Sequence, residues 1–336
     1  MKLALKITPQ RSTQYTNMAD TLAVPELVAS PLHEVITATE QVKLAGQGYV
    51  LVTLDETRQI TPAQLAVLSR LGATSEVHEY FAQIGAVQGP LLRPLEPQFT
   101  PFVPWEMVET RRYKGKTNEL FTQVLLNAAI FAGGYGAQYD QRLRIFDPLA
   151  GGGTTLFLAL ALGHDAFGVE LGRQDVETTA TFVQQFLNSE HIRYKETDEK
   201  SRKAGRRHIF EIGEKGATRT LVLVHGDTRE AIAHLREVPG GPRMHAIVGD
   251  LPYGIQHFGE LSELLNQALP VWEEMLLPGG TLALAWNATR VERAAMVQLA
   301  ERRTHLRARD DPPFTQFAHT VDRVIKRRDL LVAVKE

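Results

Sequence analysis

From residue 143 to residue 286, short apolar runs alternate with helix-length segments, and this alternation constrains the fold more than any other feature of the chain. Leu143-Arg144-Ile145-Phe146 reads as a buried strand ending at Asp147. Residues 154–162 form a helix of small and apolar residues stopped by Gly163, and 165–170 a second strand. Residues 220–224, 245–248 and 281–286 supply three more strands. The segment 260–277 predicts a helix that breaks or kinks at Pro270. Alternating β and α units specify an α/β, Rossmann-like architecture: a mostly parallel, doubly wound sheet with right-handed crossovers. The last apolar run, 329–334, follows 321–325 after only Lys326-Arg327-Arg328, which predicts an antiparallel hairpin. A sheet closed in that way is not the standard dinucleotide fold. Residues 193–219, with nine basic and five acidic residues, interrupt the rhythm. They predict an insertion, loop plus hairpin arm, whose plainest reading is a solvated, mobile excursion.

Residues 1–105 read as a separate, smaller α+β domain, a candidate for substrate recognition, and 106–336 as the larger one. The smaller domain has a strand at 48–54 and a helix opened by Thr61 as N-cap and Pro62, with Leu65, Val67, Leu68 and Leu71 as its apolar positions. Residues 1–100 carry seven basic and nine acidic residues and show no electrostatic footprint. Pro90, Pro94, Pro97, Pro101 and Pro104 mark the expected linker.

With no Cys, disulfides, thiolate nucleophiles and Cys-based zinc sites are excluded, and no metal is expected. The same absence, no run of the ~18 apolar residues that span a bilayer, and a start too interrupted for a signal peptide lead to the expectation of a cytoplasmic protein without a membrane partner. A formal net charge of −2 excludes a globally basic nucleic-acid coat.

Asp147-Pro148-Leu149-Ala150-Gly151-Gly152-Gly153-Thr154-Thr155 lies at a strand-to-helix junction. Its three glycines permit positive φ and remove Cβ atoms where a ligand must approach the backbone. A P-loop is excluded because no Gly-Lys-Ser/Thr follows. Glu170, 23 positions after Asp147 and at the end of the next strand, sits where an acidic residue takes both hydroxyls of a ribose. His225-Gly226-Asp227-Thr228 ends the third strand, and Asp227 there can accept from an adenine amino group. Three carboxyls around one pocket repel a pyrophosphate and suit a ligand bearing a sulfonium and an ammonium, which favours S-adenosylmethionine (SAM) over NAD. Asp250-Leu251-Pro252-Tyr253-Gly254 follows the fourth strand. It is either a plain turn or a site in which Asp250 and a neighbouring carbonyl accept from a planar NH2, Pro252 offers no competing N–H, and Tyr253 stacks on a base.

Together these segments resemble class I SAM-dependent amino-methyltransferases. The first resembles that superfamily's Asp-Pro-Phe/Met-x-Gly-x-Gly-Thr motif, and Asp250-Leu251-Pro252-Tyr253 its Asp/Asn-Pro-Pro-Tyr/Phe motif. Leu251 departs from the DNA adenine-N6 pattern and matches the Asp-Leu-Pro-Phe/Tyr-Gly form of tRNA guanine-N2 methyltransferases. Residues 70–77 resemble a segment of the N-terminal region of those enzymes. The resemblance, carried mainly by 143–290, implies methyl transfer from SAM to an exocyclic amine, guanine N2 in tRNA or other RNA, with Asp250, Pro252 and Tyr253 at the reacting base. It also implies cofactor contacts at Asp147, Ala150, Gly151, Gly153, Thr154, Glu170, Asp227 and Thr228. The family pattern adds a cofactor-contacting segment before the first motif, here 111–119. Within it Asn118 is the candidate contact, although Thr117 or Asn118 could instead cap the next helix.

The basic residues Arg111, Arg112, Lys114 and Lys116 could bind phosphate, and 302–328, with eight basic and three acidic residues, is either an RNA or DNA track or an ordinary solvated surface. His257 and His319 read as incidental. The competing functions are a DNA adenine-N6 methyltransferase, a protein glutamine methyltransferase (disfavoured by Asp rather than Asn at 250), and a non-catalytic nucleic-acid-binding protein with a methyltransferase fold.

Overall fold

A computed structural model describes the chain except residues 10–16, 56, 58–59, 97, 114, 139, 202–204, 253–257 and 322–325. The chain divides into two units, Met1–Thr100 with Asp310–Arg328, and Pro101–Arg309 with Asp329–Glu336. The division therefore falls at 100/101 instead of 105/106, and 310–328 groups with the first unit.

In the first unit the elements are β1 (Lys2–Ile7), α1 (Met18–Ala29), β2 (Ile36–Leu44), β3 (Gln47–Leu54), α2 (Pro62–Leu68), β4 (Thr74–Ile84) and β5 (Val87–Pro94). The sheet runs β2-β3-β1-β4-β5, and β1 is antiparallel to both β3 and β4. A β-α-β-β-α-β chain with its first strand between the third and fourth is the split-βαβ, ferredoxin-like arrangement. Leu3, Ala4 and Leu5 of the central strand are fully buried. The Thr61 hydroxyl accepts from Gln64 N at 3.2 Å while Gln64 Oε1 accepts from Thr61 N at 2.9 Å, a capping box at the expected helix start. Pro90 and Pro94 lie in β5, not in a linker; β5 is an edge strand, where a missing N–H breaks no ladder. The segment after α2 is pinned by the buried Glu26, whose two oxygens accept from Gly72 N (2.9 Å) and Ala73 N (2.8 Å).

The second unit holds α3 (Glu106–Glu109), α4 (Glu119–Ala132), β6 (Arg144–Asp147), α5 (Thr154–Ala161), β7 (Asp165–Glu170), α6 (Arg173–Ser189), β8 (Tyr194–Ser201) and β9 (Gly205–Ile212). It continues with β10 (Arg219–His225), α7 (Ala231–Leu235), β11 (Met244–Asp250), α8 (Phe258–Met275), β12 (Leu276–Asn287), α9 (Arg293–Arg303), β13 (Arg307–Ala308) and β14 (Arg328–Val334). The sheet order is β13-β14-β12-β11-β6-β7-β10-β9-β8. β6, β7, β10, β11 and β12 pair in parallel, so the fold is Rossmann-like and doubly wound. The winding reverses between β6 and β11, and a crevice opens at the carboxyl ends of strands at such a switch point. Phe146, Phe167, Val169, Val222, Ile247, Leu284 and Trp272 fill the core around these strands.

One expectation is corrected, and another in part. The insertion 193–219 is a pair of antiparallel strands that extends the main sheet beside β10, with Phe210 and Ile212 of β9 buried. α8 runs through Pro270 without ending. Proline frees the carbonyl four residues back, and Asn266 O accepts instead from Arg303 Nε (3.1 Å) and Nη2 (2.6 Å). β14 pairs antiparallel with β13, and the expected hairpin partner, 321–325, falls mostly outside the described residues.

Candidate functional site

β6 ends on Asp147, and the chain turns through Gly151 (φ 50°) and Gly153 (φ 91°) into α5. Those left-handed conformations are why glycine is needed there. Gly152 is required for a different reason: a Cβ on it would lie 2.4 Å from Cε1 of Tyr113. The segment 111–118 is thus laid against the glycine loop. Arg111 Nε donates to Gly152 O (2.8 Å), its Nη2 to Thr179 Oγ1 (2.9 Å), and the Tyr113 and Thr154 hydroxyls are 2.6 Å apart.

A cavity of about 750 Å³ opens at this edge. Asp147, Ala150, Gly151, Thr154, Glu170, Asp227, Thr228, Asp250 and Pro252 all line it, so the ends of β6, β7, β10 and β11 converge on one space. Two expected contacts lie elsewhere. Gly153 is the N-cap of α5, and Asn118 is the N-cap of α4, its Oδ1 accepting from Phe121 N at 3.2 Å. Tyr253 and His257 lie outside the described residues. Tyr113, Thr117, Thr155, Leu171, Arg229 and Leu264 line the cavity and were not singled out from the sequence. For Tyr113 and Thr117 the signal was their place in 111–119, where Thr117 and Asn118 were alternative caps of the next helix.

The carboxyls differ in their surroundings. Asp147 is 4% exposed, and its carboxyl is pushed up to about 7, first by burial and further by the neighbouring charges of Asp250 and Glu170. Hydrogen bonds from Thr155 and from Leu149 N (3.0 Å) act in the opposite direction. Glu170 accepts from Gly151 N (2.9 Å) and Gly172 N (2.7 Å), which ties the glycine loop to the start of α6. Asp227 is held below the ordinary carboxylate value chiefly by side-chain hydrogen bonds from Arg229, whose Nε lies 2.9 Å from both its oxygens. Arg229 Nη1 also donates to Gln267 on α8 (2.7 Å). Asp250 Oδ2 accepts from the Thr117 hydroxyl at 2.5 Å. Burial pushes the Tyr113 phenol up.

Several residues of the basic segments are engaged within the protein. Arg111 is buried and Lys116 pairs with Glu119 and Val108 O. In the insertion Arg206 holds Asp198 (2.7 Å) and Glu177, Arg207 holds Glu199 (2.5 Å) and Glu237 (2.9 Å), and Arg193 holds Glu214 (2.7 Å). In the C-terminal stretch Arg303 serves Asn266 and Arg307 lies 3.4 Å from Glu336. His319 is buried, its Nδ1 2.9 Å from Phe317 O, as an incidental histidine would be. Among the described residues no group of His, Asp and Glu could hold a metal, and no helix is long and apolar enough to cross a membrane.

No family model and no curated protein matches the sequence. Among solved structures, the chain is similar to TrmN from Thermus thermophilus at 14% identity and a TM-score of 0.43, covering 100% of this chain and 99% of that one. It is similar to the T. thermophilus 16S rRNA N2 G1207 methyltransferase RsmC, in complex with AdoMet and guanosine, at 16% identity and a TM-score of 0.38, covering 90% and 60%. A methyltransferase from Pyrococcus furiosus matches at 14% identity and a TM-score of 0.39, covering 67% and 87%.

Proposed function

We propose that this chain is a SAM-dependent N-methyltransferase acting on an exocyclic amine of a nucleobase, guanine N2 in tRNA or another RNA. The observation that carries the reading is the convergence of Asp250 and Pro252 with Asp147, Glu170 and Asp227 on one cavity. One part of that space suits the cofactor and the adjoining part the amine.

The residues fit SAM. The cavity lies within the range of about 300–1,000 Å³ typical of small-molecule sites. The glycine loop offers backbone without Cβ, and a carboxyl raised by burial, with two further carboxyls beside it, suits a cationic ligand. Glu170 retains acceptor positions beyond its two backbone bonds for ribose hydroxyls. When bound, SAM supplies a methyl on cationic sulfur: the C–S bond breaks with its electron pair to sulfur, a C–N bond forms, and S-adenosylhomocysteine leaves. Asp250 and the carbonyl of Leu251 or Pro252 accept the two N–H groups of the base, orienting a nitrogen whose lone pair is delocalised into the ring. Asp250 stabilises the positive charge that develops on that nitrogen, which then loses its proton to Asp250 and on to water. Tyr253, from its place in the sequence, stacks on the base. Positioning supplies most of the rate, and a base within a helix is first flipped out.

The deciding experiment incubates the protein with methyl-labelled SAM and total tRNA, total rRNA or genomic DNA, followed by nucleoside mass spectrometry. N2-methylguanosine in RNA alone is expected, lost in Asp250→Ala while SAM still binds. N6-methyladenine in DNA overturns the substrate, and no transfer with intact SAM binding leaves the non-catalytic reading.

A further inference from the structure

We propose that Thr117 is a positioning residue that holds the plane of the Asp250 carboxylate for the incoming amine; this rests on the reading of Asp250 given above. Thr117 stands two residues before α4, next to the N-cap position, where a threonine would ordinarily serve. That role is filled by its neighbour, since Asn118 Oδ1 accepts from Phe121 N. The Thr117 hydroxyl is therefore not needed by the helix, and Thr117 lines the cavity with its Oγ1 2.5 Å from Asp250 Oδ2, across 133 positions of sequence.

The chemistry of the contact is specific. A hydroxyl donating to a carboxylate makes a short, charge-assisted bond that fixes one oxygen and with it the orientation of the other. A hydroxyl carries no charge, so the carboxylate keeps its full capacity to stabilise a positive nitrogen. Asp227, which has a different task, is clasped instead by the guanidinium of Arg229. Lys116, one residue before Thr117, is directed at Glu119 and the carbonyl of Val108. The segment bearing Thr117 is itself anchored on the glycine loop through Arg111 to Gly152 O and Tyr113 to Thr154. The loop that cradles the cofactor and the carboxylate that receives the amine are thereby held in one register, and catalysis by orientation depends on such register.

The test measures kcat, KM for total tRNA and the SAM dissociation constant for wild type, Thr117→Val, Thr117→Ser and Asp250→Asn. Thr117→Val keeps the shape and removes the donor. It should lower kcat by about 10- to 100-fold, with KM and SAM affinity within about twofold of wild type, and Thr117→Ser should restore most of the rate. If Thr117→Val does not fold, the pair Thr117→Ala and Thr117→Ser carries the same comparison. An unchanged kcat in Thr117→Val, or a Ser variant as slow as Val, overturns the inference while an inactive Asp250→Asn leaves the reading of Asp250 standing. A fully active Asp250→Asn, or a wild type that methylates no RNA, overturns that reading and the role of Thr117 with it.

Discussion

Asp147 offers a test that needs no knowledge of the substrate. Its carboxyl is 4% exposed and titrates near 7, against an ordinary value of 3.8, mainly because burial penalises the charged form. Between those two values the native state holds a proton that the unfolded chain has released, so stability falls as pH rises through that window. At about 1.4 kcal/mol per tenfold, the full loss above pH 7 is about 4 kcal/mol. Asp147→Asn keeps an acceptor for Leu149 N and removes the charge. Measured by urea unfolding, the variant and wild type should be of similar stability near pH 4. The variant should then gain progressively, by about 2–4 kcal/mol at pH 8. SAM binding should show the complementary effect. In wild type below pH 7 a cationic ligand restores the ionised form, so binding releases protons, detectable by calorimetry in buffers of different ionisation enthalpy. The variant should release fewer and bind more weakly. Stability curves that stay parallel from pH 4 to pH 8 would refute the assignment of the burial penalty to Asp147.

Two further outcomes follow from the same edge of the sheet. Gly152→Ala places a methyl 2.4 Å from the Tyr113 ring and should cost about 1–3 kcal/mol in urea unfolding, a loss that Tyr113→Ala in the same chain relieves; wild-type stability in Gly152→Ala would show that the segment 111–118 gives way freely. Arg229→Ala removes the chief cause of the lowered Asp227 value, so the wild-type advantage in thermal midpoint should be present at pH 7 and shrink as pH falls below 3.8; a gap independent of pH would assign the effect of Arg229 to packing.

The parallel core was legible because β6, β7, β10, β11 and β12 are apolar runs, three of which (β6, β7 and β11) end on an acidic residue, a purely local signal. The acidic strand ends were legible for the same reason: each follows its strand directly, and topology then brings them together. What escaped local reading depended on partners distant in sequence. β8 reads Tyr-Lys-Glu-Thr-Asp-Glu-Lys-Ser, with none of the apolar alternation of a half-buried strand, and its place in the sheet is set by pairing with β9, where Asp198 meets Arg206 and Glu199 meets Arg207. Pro270 signalled a break, yet Arg303 from α9 takes the carbonyl it frees. Thr117 looked like a cap because its true partner, Asp250, is 133 residues away.

The distribution of cations bears on how an RNA would be held. A near-neutral chain can bind nucleic acid through local basic segments, and 111–116, 193–219 and 302–328 were the candidates. In the structure Arg111 is a buried strut, Arg206 and Arg207 pair with carboxylates of the same sheet region, and Arg303 completes α8. An arginine already bound to carboxylates neutralises no phosphate unless those pairs break, so these arginines would release few counterions on binding. For single-stranded RNA the slope of log K against log salt is about −0.7 per phosphate contact. Filter binding of total tRNA between about 50 and 200 mM salt measures that slope. Arg206→Gln should leave that slope unchanged. A steep slope that flattens in Arg206→Gln would mean that the paired arginines of the β8–β9 extension exchange their carboxylates for phosphates, and that the extension is part of the RNA-binding surface.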